Sequence, residues 1–168
     1  MEELKNTVDE YDIRLRNLTD ILTSIYSEKK VKRPMFYVEL SGDTTLQVNS
    51  IVKFNNVLLD DNKNFNPGDG IFISPLSGIY MFSWTIMTHS SKNIYTELRV
   101  QNNIKARLNM VLPSNERNSV TRVILCKVNK GEHVWIQTGS QSPENLFDEY
   151  YSAKTSFMGL YVRGFSSW

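Results

Sequence analysis

Two polar stretches hold the carboxylates that could bind a cation, LLDDNKNFNPGDG and SPENLFDEYY. The carboxylates are Asp60, Asp61 and Asp69 in the first stretch, and Glu144, Asp148 and Glu149 in the second. Oxygen-rich loops are the usual ligands of calcium. Neither spacing matches an EF-hand loop, so solvated loop carboxylates are the competing interpretation. No cofactor is predicted, and calcium binding is left open. Asp60 is interpreted separately, as a residue that hydrogen-bonds within a turn.

A catalytic pair is the next possibility, because Cys126 and His133 would supply a nucleophile and a base. Cys126, however, lies inside the apolar run RVILCKV, where a small buried thiol is expected. His89 and His133 have no third ligand near them in the sequence, and both are interpreted as incidental surface histidines. The sequence contains no Gly-x-Ser-x-Gly, no His-Glu-x-x-His and no phosphate-binding glycine loop. No catalytic residue is assigned, and the chain is predicted not to be an enzyme.

Ligand binding is assigned instead to three polar stretches, residues 90–93, 112–119 and 140–154. They combine tyrosine, serine and asparagine with charges of both signs, a composition that suits sugars or protein surfaces. Loops on a rigid scaffold commonly carry binding functions. Any long loop shares this composition, so single residues are candidates only. The candidate ligand-binding residues are Lys92, Glu116, Arg117, Asp148, Glu149 and Tyr150.

Composition excludes several classes of function. The chain has 168 residues and a net charge of +1, from 19 basic and 18 acidic residues. That balance disfavours nucleic-acid binding, which needs a basic excess or stripe. Cys126 is the single cysteine, so no intrachain disulfide can form. No apolar run approaches the roughly 20 residues of a membrane-spanning helix, and the charged N-terminus lacks the apolar segment of a signal peptide.

The spacing of apolar residues differs between two regions of the chain, and in the first region it is helical. Residues 1–28 contain no glycine or proline, and their apolar residues recur at alternating gaps of three and four. The heptad positions are Leu4, Val8, Tyr11, Leu15, Leu18, Leu22 and Ile25. This spacing predicts a coiled-coil stalk, and a single amphipathic helix packed on the rest of the chain is the alternative. Residues 29–33 form a basic hinge, and Pro34 ends any helix before it.

From Met35 onward the pattern predicts short β-strands separated by Asn, Asp, Gly, Ser and Pro clusters, which is typical of a sandwich or jelly roll. The run GIYMFSW is unusual because both of its faces are apolar. One face would carry Gly78, Tyr80, Phe82 and Trp84, and the other Ile79, Met81 and Ser83. An ordinary sandwich strand needs one apolar face, so the second face of this strand requires a cover.

Eight positions of this region form a spaced signature. They are Phe54, Asp60, Phe65, Phe72, Gly78, Tyr80, Phe82 and Trp84. In residue type and spacing the signature resembles that of the globular C1q domain, with Trp84 where Phe or Tyr is usual. NKGEHVWIQ and TSFMGLYV resemble two further strands of that family, with Phe157 and Gly159 in place. The resemblance covers residues 34–168.

The resemblance implies a ten-stranded jelly roll of the C1q/tumour-necrosis-factor type that forms a tight homotrimer, in most members secreted. A short coiled coil without a collagen repeat is similar to the stalk of invertebrate, molluscan-type C1q-domain-containing proteins, which serve as lectin-like pattern-recognition molecules of innate immunity. We therefore expect a secreted homotrimer that binds microbial surface carbohydrate and does not insert into membranes. The alternative is a cytokine-like or extracellular-matrix ligand that binds a protein receptor.

The resemblance also bears on calcium and on the trimer. Several C1q domains hold calcium through Asp residues in the loop equivalent to residues 112–120, and this loop has Glu116 but no Asp. A trimer would cover both faces of the strand at 78–84, one by the opposing sheet and one by neighbouring subunits. We expect the face with Tyr80 and Phe82 to point at the threefold axis. The trimer interface or core is assigned to Tyr80, Phe82, Trp84 and Phe157.

Overall fold

The computed structural model describes residues 2–30, 33–89, 94–111, 117–140, 145–147 and 154–165. The chain divides into two compact units, and the boundary falls between Arg33 and Pro34. Each unit is described separately below. In the described part of the chain, no helix combines the length and the apolar character that crossing a membrane requires.

The first unit is a helix, α1, which spans Glu2–Lys30. The predicted heptad residues with described side chains are Val8, Tyr11, Leu15, Leu18 and Leu22, and each is more than half exposed. The side chains of Leu4 and Ile25 lie outside the described residues. Arg14 pairs with Glu10 at 2.7 Å one turn away, an exposed ion pair that contributes little to stability. The coiled coil stays a prediction.

The second unit consists of β-strands joined by turns. The strands are β1 Met35–Glu39, β2 Thr44–Leu46, β3 Asn56–Asp60, β4 Phe65–Asn66, β5 Ile71–Ile73, β6 Gly78–His89, β7 Ile94–Val100, β8 Asn103–Met110, β9 Arg117–Val128, β10 His133–Thr138, β11 Asn145–Phe147 and β12 Ser156–Arg163. In the described residues they form two five-stranded antiparallel sheets. The first sheet has the order β3-β1-β12-β6-β9, and the second has the order β4-β5-β10-β7-β8. The short strands β2 and β11 pair separately.

The core lies between the two sheets and is rich in aromatic rings. Alternate residues along each long strand point inward, because successive side chains of a strand project to opposite faces. Phe36 of β1 stacks on Phe72 of β5 with ring centroids 4.7 Å apart, and it meets Phe157 of β12 edge-on at 4.9 Å. Such aromatic pairs contribute beyond the area they bury. The Phe36–Phe72 pair joins the two sheets, and the Phe36–Phe157 pair packs two neighbouring strands of the first sheet.

Gly159 of β12 makes this ring packing possible. A Cβ atom at this position would overlap the rings of Phe36 and Phe82. Glycine is therefore required here by the close approach of two aromatic side chains, and the turn propensity of glycine is not the reason. The glycine two residues after Phe157 in TSFMGLYV thus has a packing role.

Candidate functional site

The outward face of the first sheet is largely apolar. Across β6 and β9, Met81 lies opposite Leu125 and Ser83 lies opposite Val123. Leu125 is 64% exposed and Val123 is 56% exposed. Two rows of side chains cross this face, Met35, Leu160, Met81 and Leu125 in one, and Leu59, Tyr37, Met158, Ser83 and Val123 in the other. We call these two rows the outward apolar face. Exposed apolar surface of this kind is typical of places where a protein contacts a partner.

The interior face of the same strand corrects the prediction of the threefold axis. Tyr80, Phe82 and Trp84 of β6 and Phe157 of β12 are all completely buried within the single chain. Tyr80 and Phe82 meet Phe72 of the opposing sheet, with ring centroids 5.9 and 6.3 Å away. A side chain with no accessible surface cannot reach a neighbouring subunit. The assignment of this face to the threefold axis was therefore wrong, since the second sheet covers it.

The Tyr80 hydroxyl has partners within the chain. It accepts a hydrogen bond from Ser74 Oγ and donates one to the carbonyl oxygen of Leu76, both at 2.8 Å. Burial raises the pKa of the Tyr80 phenol above its ordinary value. Buried polar groups require such partners, so the hydroxyl has a structural role.

Most of the predicted ligand-binding residues fall where the structure gives no description. Lys92, Glu116, Asp148, Glu149 and Tyr150 lie outside the described residues. The remaining candidate, Arg117, is exposed at the start of β9, opposite His89 of β6. The ligand role of all these residues stays a prediction.

Two carboxylates of the first polar stretch, Asp60 and Asp69, stabilise turns. Asp60 accepts backbone N–H groups through both carboxylate oxygens, from Asn64 at 3.1 Å and from Phe65 at 2.9 Å. Asp69 accepts the N–H of Ile71 at 3.0 Å. Glu144, Asp148 and Glu149 lie outside the described residues, and so they stay candidates without a described site. In the described part, His, Cys, Asp and Glu side chains form no group of three or more that could hold a metal ion.

Cys126 and His133 are placed in different sheets. Cys126 lies on β9 of the first sheet, opposite Tyr80 and packed against the core. Burial raises the pKa of the Cys126 thiol to about 11, so the thiolate is scarce at neutral pH. His133 is exposed at the start of β10, opposite Ile73. This arrangement gives no support to a nucleophile–base pair.

A buried carboxylate on the outward side of the second sheet was not predicted from the sequence. Glu97 of β7 is only 7% exposed. One of its oxygens, Oε2, accepts from Nε and Nη2 of Arg99 at 3.1 and 2.8 Å. The other, Oε1, accepts from Nε of Arg107 on β8 at 3.0 Å. Burial alone would raise the pKa of Glu97, but the hydrogen bonds and charges of Arg107 and Arg99 bring it below its ordinary value.

A cleft of about 380 Å³ adjoins this group at the end of the second sheet. Its lining residues are Tyr95, Thr96, Glu97, Arg107, Leu108, Asn109, Gly139 and Ser140, and we call it the Arg107 cleft. Tyr95 lies opposite Asn109, and Glu97 lies opposite Arg107, across β7 and β8. Alternation in IYTELRV and NIKARLNM indicates the hairpin, but the register irregularity between Leu98 and Arg99 sets which side chains meet, so the alternation alone does not locate the cleft.

The two five-stranded sheets define the class of protein, a jelly roll of the C1q and tumour-necrosis-factor type. The globular domain of zebrafish complement 1qA protein superposes with a TM-score of 0.66 at 20% identity, over 79% of this chain and 99% of that one. Murine APRIL, in a crystal structure at pH 5.0, gives 0.58 at 12% identity over 78% and 100%. Eiger TNF from S. frugiperda gives 0.56 at 12% identity over 80% and 94%. The predicted fold class is confirmed.

The sequence comparison narrows the class to a family. The C1q domain profile matches residues 35–162, which is well over half of the chain, and the chain belongs to the C1q domain family. The complement C1q tumor necrosis factor-related protein 6 of Rattus norvegicus is 22% identical over 111 residues, 66% of this chain. The alignment spans 42% of that relative's length, so this chain corresponds to less than half of it.

Proposed function

We propose that the protein is a non-enzymatic, homotrimeric recognition protein that acts outside the cell in innate immunity. In this proposal it binds microbial surface carbohydrate in a lectin-like manner, and three copies act together. Weak binding at one site becomes strong when linked sites engage a repetitive surface at the same time. Membership of the C1q domain family supports a recognition role.

The observation that carries the trimer is the outward apolar face. Leu125, Val123 and Met81 lie side by side on the sheet surface that the core does not use. Leaving these aliphatic side chains in water is unfavourable by roughly 25 cal/mol for each Å² that a partner would cover. Contact between identical copies buries such surface, and closed symmetry limits the assembly to a defined number of copies.

The helix supplies a second contact in this proposal. Val8, Leu15 and Leu22 follow one another at heptad spacing and are exposed on α1. Three heptads are short for independent association, and most helical stability in proteins comes from packing of an apolar face against a partner. We therefore propose that the stalk and the outward apolar face associate together, each raising the effective concentration of the other.

The second candidate function is a cytokine-like or matrix ligand that engages a protein receptor. The fold it shares with APRIL and Eiger TNF supports this alternative at the level of architecture only. The same outward apolar face would build the assembly in both cases. The two functions therefore differ in the ligand that the assembly binds.

Two measurements test the proposal. Light scattering at micromolar concentration should give three times the 19.5 kDa mass of the chain, and a mass of one chain would refute the trimer. A glycan array combined with pull-down on lipopolysaccharide and peptidoglycan should show saturable binding that the matching free sugar competes away. No binding to any microbial polymer, together with tight capture of one receptor ectodomain, would favour the receptor-ligand function.

A further inference from the structure

We propose that the Arg107 cleft binds the carboxylate of an acidic sugar. This inference rests on the proposed recognition function, because it names the ligand class and the site of that function. It places a binding site on the end of the second sheet, away from the loops that the sequence indicated.

The charge of the cleft favours an anion. Arg99 and Arg107 bring two positive charges, and Glu97 neutralises one of them. Among the described residues that line the cleft, Glu97 is the one carboxylate. Arg99 is not a lining residue, but it pairs with Glu97 from beside the cleft, so the three side chains together keep one net positive charge at the cleft wall. A concave surface focuses the field of such a charge. A neutral sugar would make no use of this charge.

The orientation of Arg107 suits a carboxylate. Its Nε is held by Glu97 at 3.0 Å, while the side chain remains 70% exposed. In the part of the chain that the structure describes, the two terminal nitrogens of Arg107 donate to no protein acceptor. Guanidinium groups bind carboxylates with paired, charge-assisted hydrogen bonds. The anchored Nε reduces the side-chain freedom that binding would otherwise remove.

The remaining lining residues match a polyhydroxylated ring. Tyr95, Asn109 and Ser140 add a phenol, an amide and a hydroxyl around the guanidinium. These groups can exchange hydrogen bonds with sugar hydroxyls in both directions. The volume of about 380 Å³ falls at the lower end of the range for small-ligand pockets. A single sugar unit with one carboxylate fits this description better than an extended polyanion, which would need a basic stripe.

Gly139 keeps the cleft in its present shape. Its N–H donates to the carbonyl oxygen of Tyr95 at 2.7 Å. A Cβ atom at position 139 would lie 3.1 Å from Cβ of Tyr95, a tight contact that Tyr95 could relieve only by shifting a few tenths of an ångström. Glycine at this position therefore lets the chain after β10 approach β7 without moving Tyr95.

Ligand-observed NMR titration of the full chain tests the proposal with D-glucuronate and D-glucose, two sugars that differ by a carboxylate. Glucuronate should bind at least about tenfold more tightly than glucose, as expected for a hydrogen-bonded charge pair. Arg107→Gln should remove that difference. Lys53→Gln is the matched control, because Lys53 lines a separate groove with Asn55 and Pro67; it should leave the difference unchanged. N-acetylneuraminate in parallel distinguishes a sialic from a uronic acid source.

Several outcomes would overturn the inference. They are equal affinity for glucose and glucuronate, an Arg107→Gln variant that binds as the wild type does, and equal displacement by inorganic sulfate, which would reduce the cleft to a simple anion site. Circular dichroism checks the fold of Arg107→Gln. Asn109→Ala, at an exposed position on β8, provides a second variant and should weaken glucuronate binding.

The two proposals fail in different ways. If the wild type captures microbial polymers and Arg107→Gln captures them equally, the cleft is not the site and the recognition function stands. If glucuronate binds through Arg107 while no microbial polymer is captured, the cleft assignment stands and the recognition function is wrong.

Discussion

The indole Nε1 of Trp84 donates a hydrogen bond to Thr96 Oγ1 at 2.9 Å across the interior of the sandwich. Trp84 belongs to β6 of the first sheet and Thr96 to β7 of the second, and neither side chain is accessible to solvent. The bond therefore joins the two sheets directly. It also lies beneath the Arg107 cleft, since Thr96 is one of the lining residues of that cleft.

Thr96→Val should destabilise the chain by about 1–3 kcal/mol, because the shape is kept while the buried indole N–H loses its acceptor. Urea denaturation at a fixed protein concentration measures this difference. In a Trp84→Phe background the same substitution should be close to neutral, since no donor is left without a partner. An equal loss in both backgrounds would mean that the hydrogen bond is not the cause.

The outward apolar face gives a prediction about assembly. Leu125→Glu should shift the mass in light scattering from three chains to one and leave the fold intact, because Leu125 is 64% exposed and makes no core contact. Ile104→Glu is the matched control, at an exposed apolar position on β8 of the second sheet. The control should keep the mass of the wild type. A Leu125→Glu variant with the full assembly mass would exclude this face as the subunit contact.

Tyr80→Asp separates the corrected assignment from the original one. If the Tyr80 face pointed at a threefold axis, the substitution would give a folded monomer or an aggregate. Tyr80 is completely buried against Phe72 and its hydroxyl is hydrogen-bonded, so an aspartate there should unfold the sandwich. Near-ultraviolet circular dichroism should show loss of the fixed aromatic environment. A folded monomer with a native spectrum would restore the original assignment.

Much of this fold follows from sequence patterns alone. The wrong assignment of the Tyr80 face shows a feature that such patterns do not determine. The helical period of α1 and the signature positions from Phe54 to Trp84 depend on local spacing, which the sequence contains in full. Local spacing does not decide which face of β6 points inward, because both faces of GIYMFSW are apolar. A period of two sorts the residues into two faces but does not tell which face is buried in the core. The ring of Phe72 on the opposing sheet decides it.

The Arg107 cleft illustrates a second limit of sequence patterns. Charged residues such as Glu97, Arg99 and Arg107 are common on the exposed faces of strands. Whether Glu97 contacts Arg107 depends on the register between β7 and β8. That register includes an irregularity between Leu98 and Arg99, which no propensity predicts. Charge position along single strands was therefore insufficient to locate the group.

The lowered pKa of Glu97 predicts how stability depends on pH. A carboxylate whose folded pKa is below its unfolded value stabilises the fold above the unfolded pKa, and this contribution is lost as pH falls through the folded value. The contribution should therefore be complete at pH 7 and should decline below the ordinary value of 4.5. Glu97→Gln should be less stable than the wild type at pH 7, with a difference that shrinks in acid.

The matched control for this measurement is Glu10→Gln. Glu10 also forms an ion pair, with Arg14 at 2.7 Å, but both side chains are exposed on α1. Its removal should change stability little at any pH. Urea unfolding of the three proteins between pH 3 and pH 7 makes the comparison. A constant difference between wild type and Glu97→Gln over this range would contradict the coupling of Glu97 to Arg99 and Arg107.

The raised pKa of Cys126 predicts slow thiol chemistry in the folded protein. With a pKa of about 11 the thiolate fraction at pH 8 is lower than that of an unfolded thiol by a factor on the order of a hundred. Reaction with a disulfide reagent should be slower than in the unfolded chain and should accelerate as pH rises toward the pKa. The unfolded chain in urea provides the reference rate. Equal rates in the folded and unfolded chain would place Cys126 outside the packed side of β9.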